Sequence, residues 1–422
     1  MTSVGIVNAW GWNRGDEAML SSLICHLQAK HSDVEITVYS REDLDLARFG
    51  VRGEPWLTES PVLTRLVTKA IRRIPGYLDA QARLAQARLR LTLPLWARKT
   101  NVLRHDFVIS SPAGPYLGDL YPKTEGCCLT PLAICAKRGT PFGILAVSCG
   151  PFHKECLNPL RRMVFSRARF WTVREDISRE HLERLDLACP KHCGGDLAFA
   201  HPDRDPGQFL EEGQRETYQT AENLLRNGAI VLTLSHTAHM APGAKTQPFD
   251  PVGYARKTGR LLKHVLEKTG RQILVFPHFY GSAQEQKNIR GVIGATGSDG
   301  RIHVLAPDLN AEAQMRLYSQ AAFCISHRYH PTIFALRAGR PCLCMRHQFK
   351  AEGMLAMFGD PGAVVRTTDS AEDWIRAFDE TWENRDAIAR QIQERLPAVR
   401  ASSLKHLEIL DEHLAQCAGT AR

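Results

Sequence analysis

Arg328 and His330 stand two positions apart in the segment SHRYH, which spans residues 326–330. A guanidinium binds a carboxylate or phosphate through two parallel hydrogen bonds, and an imidazole exchanges protons near neutral pH. The pair therefore indicates a site that binds an anion and transfers a proton. The alternative is that both side chains only cap or bridge the start of a helix.

The sequence around this pair predicts the elements that must hold it. Residues 322–325 indicate a strand, residues 333–336 a helix and residues 342–345 a second strand. In a parallel sheet this order places the polar turn at the carboxyl end of the first strand, where helix-start amides can hold an anion. Lys350 stands near the start of the next predicted helix, 349–358.

A second arginine, Arg174, ends a predicted strand at 170–174 in the amino-terminal half of the chain. Two arginines at strand ends of opposite halves can converge on one anion across a cleft. A salt bridge from Arg174 to Glu175 or Asp176 is the alternative interpretation.

The amino terminus predicts the first unit of a doubly wound sheet. Residues 3–9 indicate a strand, residues 18–27 a helix and residues 34–39 the next strand. The turn after the first strand lacks a G-x-G-x-x-G motif, so it does not predict a dinucleotide site. Asp16 and Glu17 at the helix start are typical capping residues, and the functional alternative is that Asp16 points into a cleft.

The chain of 422 residues, of which 44% are hydrophobic, is long enough for two domains with separate cores. We predict a Rossmann-like domain at 1–190 with a basic helical insertion at about 60–104, a linker at 191–228, a Rossmann-like domain at 229–370 and helices at 371–422. The predicted fold class is α/β, with the two domains facing across a cleft and the C-terminal helices packing back on the first domain.

The formal net charge of +9 favours anionic partners such as nucleic acid, phosphorylated substrates or an anionic membrane surface. From Arg65 to Arg104 there are eight arginines and two lysines against one acid, Asp79. This segment is either a solvated helical insertion or a basic cover for lipid headgroups or a lipid diphosphate. Its few aromatic residues argue against a nucleic-acid surface, so nucleic acid is not expected as a partner.

The 12 cysteines do not form paired C-x-x-C motifs, which indicates reduced thiols rather than a metal site. The sequence shows neither a charged-then-apolar leader nor an apolar run of membrane-spanning length. We therefore expect a cytoplasmic protein, and the basic segment adds the hypothesis of peripheral contact with the inner membrane face.

Seven short motifs, in order along the chain, resemble those of the polysaccharide pyruvyl transferases, including the colanic-acid pyruvyl transferases. They are NRGDEAML at 13–20, YLGDLY at 116–121, SCGPF at 148–152, VREDIS at 173–178, GD at 195–196, SHRYH at 326–330 and FK at 349–350, the last followed by EGMLAMF at 352–358. Their shared order and spacing carry the resemblance.

The resemblance implies a fold similar to the GT-B glycosyltransferases and transfer of a pyruvyl group from phosphoenolpyruvate to two sugar hydroxyls as a ketal. The residues expected to bind the donor are Arg174, Arg328 and Lys350. The residues expected to act in catalysis are His330 and Asp16. The residues expected to bind the acceptor, a saccharide on a polysaccharide precursor or a polyprenyl-diphosphate carrier, are Asn13, Glu17 and Asp119. Neither a metal ion nor a cofactor is expected.

The chemistry of the donor agrees with these residue types. Phosphoenolpyruvate carries a carboxylate and a phosphate, so its site needs two anion clamps and an acid that protonates the methylene carbon. Two other function classes stay open. A GT-B glycosyltransferase would also need arginine and lysine on a nucleotide-sugar diphosphate, and a nucleic-acid-binding protein would lose affinity for any polyanion as salt rises.

Overall fold

The computed structural model describes residues 2–11, 13–40, 44–55, 104–114, 116–234, 250–279, 282–297, 300–306, 308–346 and 350–420. Two compact units divide the chain. Unit one consists of Met1–Gly11, Met19–Leu197 and Ser402–Arg422, and unit two consists of Trp12–Ala18 and Ala198–Ala401. Apart from Arg104, the basic segment that starts at Arg65 lies outside the described residues.

Unit one is built on a parallel sheet. Its strands are β1 (Thr2–Ala9), β2 (Val34–Ser40), β3 (Arg52–Pro55), β4 (Phe107–Ser110), β5 (Phe142–Val147), β6 (Trp171–Val173) and β7 (Lys191–Cys193). They form one seven-stranded sheet in the order β3-β2-β1-β4-β5-β6-β7. The helices along this part of the chain are α1 (Arg14–Lys30), α2 (Pro122–Arg138), α3 (Asn158–Phe165) and α4 (Asp176–Glu183).

Unit two repeats the parallel arrangement. Its strands are β8 (Ile230–Thr233), β9 (Ile273–Val275), β10 (Ile302–Val304), β11 (Phe323–Ser326), β12 (Cys342–Arg346) and β13 (Val364–Arg366). They form a six-stranded sheet in the order β10-β9-β8-β11-β12-β13. Its helices are α5 (Glu212–Arg226), α6 (Pro251–Thr269), α7 (Ala283–Thr296), α8 (Ala311–Tyr318), α9 (Tyr329–Arg337), α10 (Lys350–Ala356) and α11 (Ala371–Glu383).

The final helix, α12 (Arg385–Thr420), begins in unit two, and its residues from Ser402 onward belong to unit one. The central strands β4 and β11 are buried at every residue. Strands covered on both faces are the usual consequence of helical crossovers in a parallel sheet. The structure thus confirms the predicted class of two parallel α/β sheets followed by C-terminal helices.

The segment predicted as a linker, 191–228, differs from the prediction because it contains regular structure. It contributes β7, the edge strand of the first sheet, and the helix α5. This helix begins with a capping box between Glu211 and Gln214 and buries only Ala221 and Leu225. Its apolar residues are few and stand among charged and polar residues, so the composition of the segment is typical of an irregular linker.

Among the described residues, the helices include none that is both long enough and apolar enough to cross a membrane.

Candidate active site in unit two

The turn that carries Arg328 and His330 lies at the carboxyl end of β11, as predicted. Arg328 is the N-cap residue of α9, and its backbone is extended. The hydroxyls of Ser326 and Thr332 donate to the Arg328 carbonyl oxygen at 3.2 and 3.0 Å. The turn is therefore held from the strand on one side and from the helix on the other.

Leu234, Glu285 and Phe279 contact the guanidinium of Arg328. Its Nε donates to the carbonyl oxygen of Leu234 at 2.7 Å, and its Nη2 lies 3.2 Å from Oε1 of Glu285. The guanidinium carbon lies 4.5 Å from the centre of the Phe279 ring. Burial lowers the pKa of Arg328, and the negative charge of Glu285 acts in the opposite direction.

Glu285 stands in the first turn of α7 and is not among the residues that the sequence predicts for the site. Its Oε2 accepts hydrogen bonds from the backbone N–H groups of His278 and Phe279 at 3.1 and 2.9 Å. Burial raises the pKa of Glu285, while the charge of Arg328 opposes that increase. The sequence SAQE, which follows a strand, is the signal that could have indicated this residue. It is typical of a helix start, and Ser282 accepts a hydrogen bond from the Glu285 N–H.

The imidazole of His330 is 6% exposed and lies among other rings. Its centre is 5.1 Å from the Tyr329 ring and 6.4 Å from the nearly parallel ring of His278. His278 follows β9 and is 3% exposed. Two buried imidazoles and one guanidinium are therefore present at the carboxyl edge of the second sheet.

The NRGDE motif at the start of α1 belongs to unit two. Asn13 forms an antiparallel bridge with Phe279, and the N–H of Arg14 donates to the His278 carbonyl oxygen at 3.1 Å. A Cβ atom on Gly15 would lie 1.8 Å from Cγ of His330. Glycine is therefore required at position 15 where the chain passes the imidazole.

The other predicted residues of this motif make local contacts. The Asn13 amide donates to Oδ2 of Asp16 at 2.6 Å, and its oxygen accepts from the N–H groups of Gly15 and Asp16. Oε2 of Glu17 accepts from the N–H of Ala311 at 3.1 Å, which places a carboxylate at the start of α8. This contact gives Glu17 a structural role beside its predicted one.

Lys350, the first residue of α10, has its Nζ 4.6 Å from the centre of the Tyr329 ring. It therefore lies beside the Arg328 turn. Unit two contains six of the eight predicted site residues, namely Asn13, Asp16, Glu17, Arg328, His330 and Lys350.

Arg174 belongs to unit one, where it follows β6 and is fully buried. Its Nη1 lies 2.6 Å from Oδ2 of Asp196, and its Nε donates to Ser148 at 2.8 Å and lies 3.7 Å from Glu175. The alternative of a salt bridge to Glu175 is thus observed, with Asp196 as the shorter contact. Asp176 instead pairs with Arg179.

Asp119 also belongs to unit one and takes part in a buried ionic cluster. Its Oδ1 lies 2.7 Å from Nη2 of Arg161, and its Oδ2 accepts from the N–H of Lys154 at 3.0 Å. Glu125 binds the same guanidinium at 2.8 Å. Burial favours a neutral Arg161, but the hydrogen bonds that Arg161 donates to Glu125 and Asp119 outweigh it and raise the arginine pKa. Asp119 is therefore a structural partner in this fold.

Comparison with known proteins identifies the family. The sequence profile of the family described as "Polysaccharide pyruvyl transferase" matches residues 13–348. The chain belongs to this family. Its relative, the amylovoran biosynthesis protein AmsJ of Erwinia amylovora, is 24% identical over 365 residues, which cover 83% of this chain and 84% of AmsJ. A role of this pyruvyl transferase in polysaccharide biosynthesis agrees with both findings.

Solved structures with the same fold belong to GT-B-like enzymes. The UDP-GlcNAc 2-epimerase of Neisseria meningitidis, bound to UDP-GlcNAc, gives a TM-score of 0.61 at 13% identity over 98% of this chain and 100% of the epimerase. A putative UDP-N-acetylglucosamine 2-epimerase of Listeria monocytogenes gives 0.62 at 11% identity over 98% and 97%. At these identities the similarity shows the fold alone.

Proposed function

We propose that this pyruvyl transferase moves the pyruvyl group of phosphoenolpyruvate to two hydroxyls of a saccharide, which it joins as a ketal. The observation that carries the proposal is the fixed guanidinium of Arg328 two residues before the buried imidazole of His330. An anion clamp next to a proton donor is what this donor requires.

Donor binding is assigned to Arg328 and Lys350. Arg328 presents a planar fork, Lys350 supplies a point charge, and the first N–H groups of α9 favour a negative group at the same turn. Arg174 is the expected third cation, and its buried pairs with Asp196 and Glu175 mean that donor binding by Arg174 would have to compete with two carboxylates.

The acid in this mechanism is His330, which donates a proton to the methylene carbon of the donor. C2 then becomes electrophilic, one acceptor hydroxyl adds to it, the bond from C2 to the phosphate oxygen breaks, and the second hydroxyl closes the ketal. The acceptor loses two protons, of which one restores His330 and one leaves on the phosphate. The reaction therefore balances without an oxidant or reductant.

Acceptor orientation is assigned to Asp16, which Asn13 holds by a hydrogen bond of 2.6 Å. Glu17 and Asp119 are weaker candidates, because Glu17 accepts from the first N–H of α8 and Asp119 binds Arg161. We further propose that the acceptor is a polysaccharide precursor or a polyprenyl-diphosphate-linked saccharide, with the basic segment from Arg65 to Arg104 at the inner membrane face. Co-sedimentation with anionic but not neutral vesicles tests that contact.

The test of the proposed reaction is turnover in heavy water with lipid-linked saccharides as acceptors. Wild type should release phosphate from phosphoenolpyruvate and place deuterium in the methyl group of the ketal. His330→Gln should still bind the donor but lose about 10² to 10⁴ in rate, the usual contribution of a general acid. Transfer of a sugar from a UDP-sugar, without release of phosphate from phosphoenolpyruvate, would instead support a glycosyltransferase.

A further inference from the structure

We infer that Glu285 is a positioning residue of the donor site. Its carboxylate holds the Arg328 guanidinium and the turn at His278–Phe279 in one arrangement. The inference rests on the proposed function, because that function gives Arg328 its ligand. Glu285 is 2% exposed, and its two oxygens have different partners. Oε1 faces the Arg328 guanidinium at 3.2 Å, and Oε2 accepts from both N–H groups of the turn.

Burial of the Glu285 carboxylate costs free energy of folding, which indicates that the group serves to orient its neighbours. A buried charge needs both a counter-ion and hydrogen bonds to offset its lost hydration, and apolar replacements are often at least as stable. Helix capping does not require the side chain of Glu285 here, because its carboxylate binds the N–H groups of His278 and Phe279 outside α7. The capping oxygen comes from Ser282.

Loss of Glu285 would affect several contacts that hold the guanidinium. The contacts of Arg328 include the Leu234 carbonyl, Glu285 itself and the face of the Phe279 ring. The backbone N–H of Phe279 in turn donates to Glu285. Of these three contacts, two therefore depend on the carboxylate, one directly and one through the Phe279 backbone.

The same carboxylate links the anion site to the buried histidines. His278 donates its N–H to Glu285, and its ring lies 6.4 Å from the ring of His330. Its carbonyl oxygen accepts from the N–H of Arg14, in the segment that passes His330 at Gly15. Glu285 therefore holds the backbone that carries His278 as well as the guanidinium of Arg328.

Positioning and simple electrostatics predict opposite signs for removal of the charge. A carboxylate next to an anion site repels the anion, so its neutralisation alone would tighten binding of phosphoenolpyruvate. If Glu285 instead pre-orients the guanidinium, neutralisation must weaken binding, because the arginine then pays for its ordering when the donor binds.

The test is calorimetric titration of phosphoenolpyruvate and of inorganic phosphate into the full chain at fixed ionic strength. Glu285→Gln should bind phosphoenolpyruvate about tenfold more weakly than wild type. Its affinity for inorganic phosphate should fall less, because only phosphoenolpyruvate, with two anionic groups, needs a guanidinium of fixed orientation. Glu285→Asp keeps the charge but shortens the reach, and it should also weaken the affinity. Equal or tighter binding by Glu285→Gln overturns the inference.

Glu312→Gln is the matched control, because Glu312 is equally buried in unit two and pairs with Arg204 at 3.2 Å. It should leave both affinities unchanged, and a loss equal to that of Glu285→Gln would show a general effect of burial and overturn the inference. If Glu285→Gln fails to fold, Glu285→Asp decides. Wild type that binds the donor but releases no phosphate when lipid-linked saccharides are also present overturns the proposed function alone, and wild type that binds neither anion overturns both.

Discussion

The imidazole of His330 lies directly against the backbone of Gly15, so closely that a methyl group at position 15 would stand 1.8 Å from its Cγ atom. The two residues are 315 positions apart in the sequence, yet both belong to unit two. The first turn of α1 therefore forms one wall around the proposed acid, and its glycine sets where the ring can lie.

Gly15→Ala should displace the His330 ring and reduce turnover by about 10²-fold, the usual cost of moving a catalytic group by roughly 1 Å. Phosphate release from phosphoenolpyruvate measures the loss. Gly213→Ala is the control, because Gly213 lies in α5 with nothing within 4 Å of an added Cβ. Unchanged turnover in Gly15→Ala would show that the ring is not needed at this position.

The strand, turn and helix around Arg328 are predictable from the sequence because the strand and the helix each have a local pattern of apolar residues. Gly339 marks the end of the helix. Glu285 escaped prediction for a physical reason. Its contacts with Arg328 and with the His278 backbone depend on where the chain reverses after β9, and local periodicity does not contain that information.

The contacts of Arg174 were also only partly predictable from local sequence patterns. Its place at a strand end agrees with the prediction, and the salt bridge to Glu175 is one of the two alternatives, Glu175 or Asp176, that the sequence indicates. Its shorter contact, Asp196, follows the edge strand β7, which was interpreted as the start of a linker. An edge strand of three residues with half-buried side chains carries too little pattern to be recognised, so the pair could not be foreseen.

Arg174→Met should destabilise unit one, because it removes the arginine that pairs with the buried carboxylates of Asp196 and Glu175. The expected loss in free energy of unfolding is about 3 to 5 kcal/mol, the cost of breaking a buried pair from one side. Thermal and urea unfolding measure it. Arg174→Met combined with Asp196→Asn should recover part of the loss, and a variant with full stability but a raised donor KM would show that Arg174 serves the donor alone.

Tyr329 should place Lys350 through the face of its ring, which lies 4.6 Å below the ammonium. Tyr329→Leu removes the aromatic face and should raise the donor KM several-fold, consistent with a cation–π contact of about 1 kcal/mol. Tyr329→Phe keeps the ring and should bind the donor like wild type. Steady-state kinetics with phosphoenolpyruvate separate the two, and equal KM values in both variants would remove the ring from the placement of Lys350.

His406 should make unit one sensitive to acid. Its Nε2 donates to the carbonyl oxygen of Gly195 at 2.7 Å. The pKa of His406 is lowered from 6.5 to about 4, mainly by burial; the charges of His192 and Arg174 act in the same direction, and the Gly195 hydrogen bond opposes them. The neutral imidazole is therefore the form that fits the folded chain.

The direction of the pH effect follows from proton uptake by the folded and the unfolded chain. Above pH 6.5 His406 is neutral in both, and its contribution to the free energy of unfolding is fully present. As the pH falls from 6.5 towards 4, the unfolded chain takes up the proton first, so stability falls by about 1.4 kcal/mol per pH unit and by about 3 kcal/mol in total. Urea midpoints at pH 7 and pH 4.5 measure this loss. His406→Gln cannot take up the proton and should show a smaller difference between the two midpoints than wild type, whereas replacement of the exposed His153 by Gln should leave the wild-type difference intact.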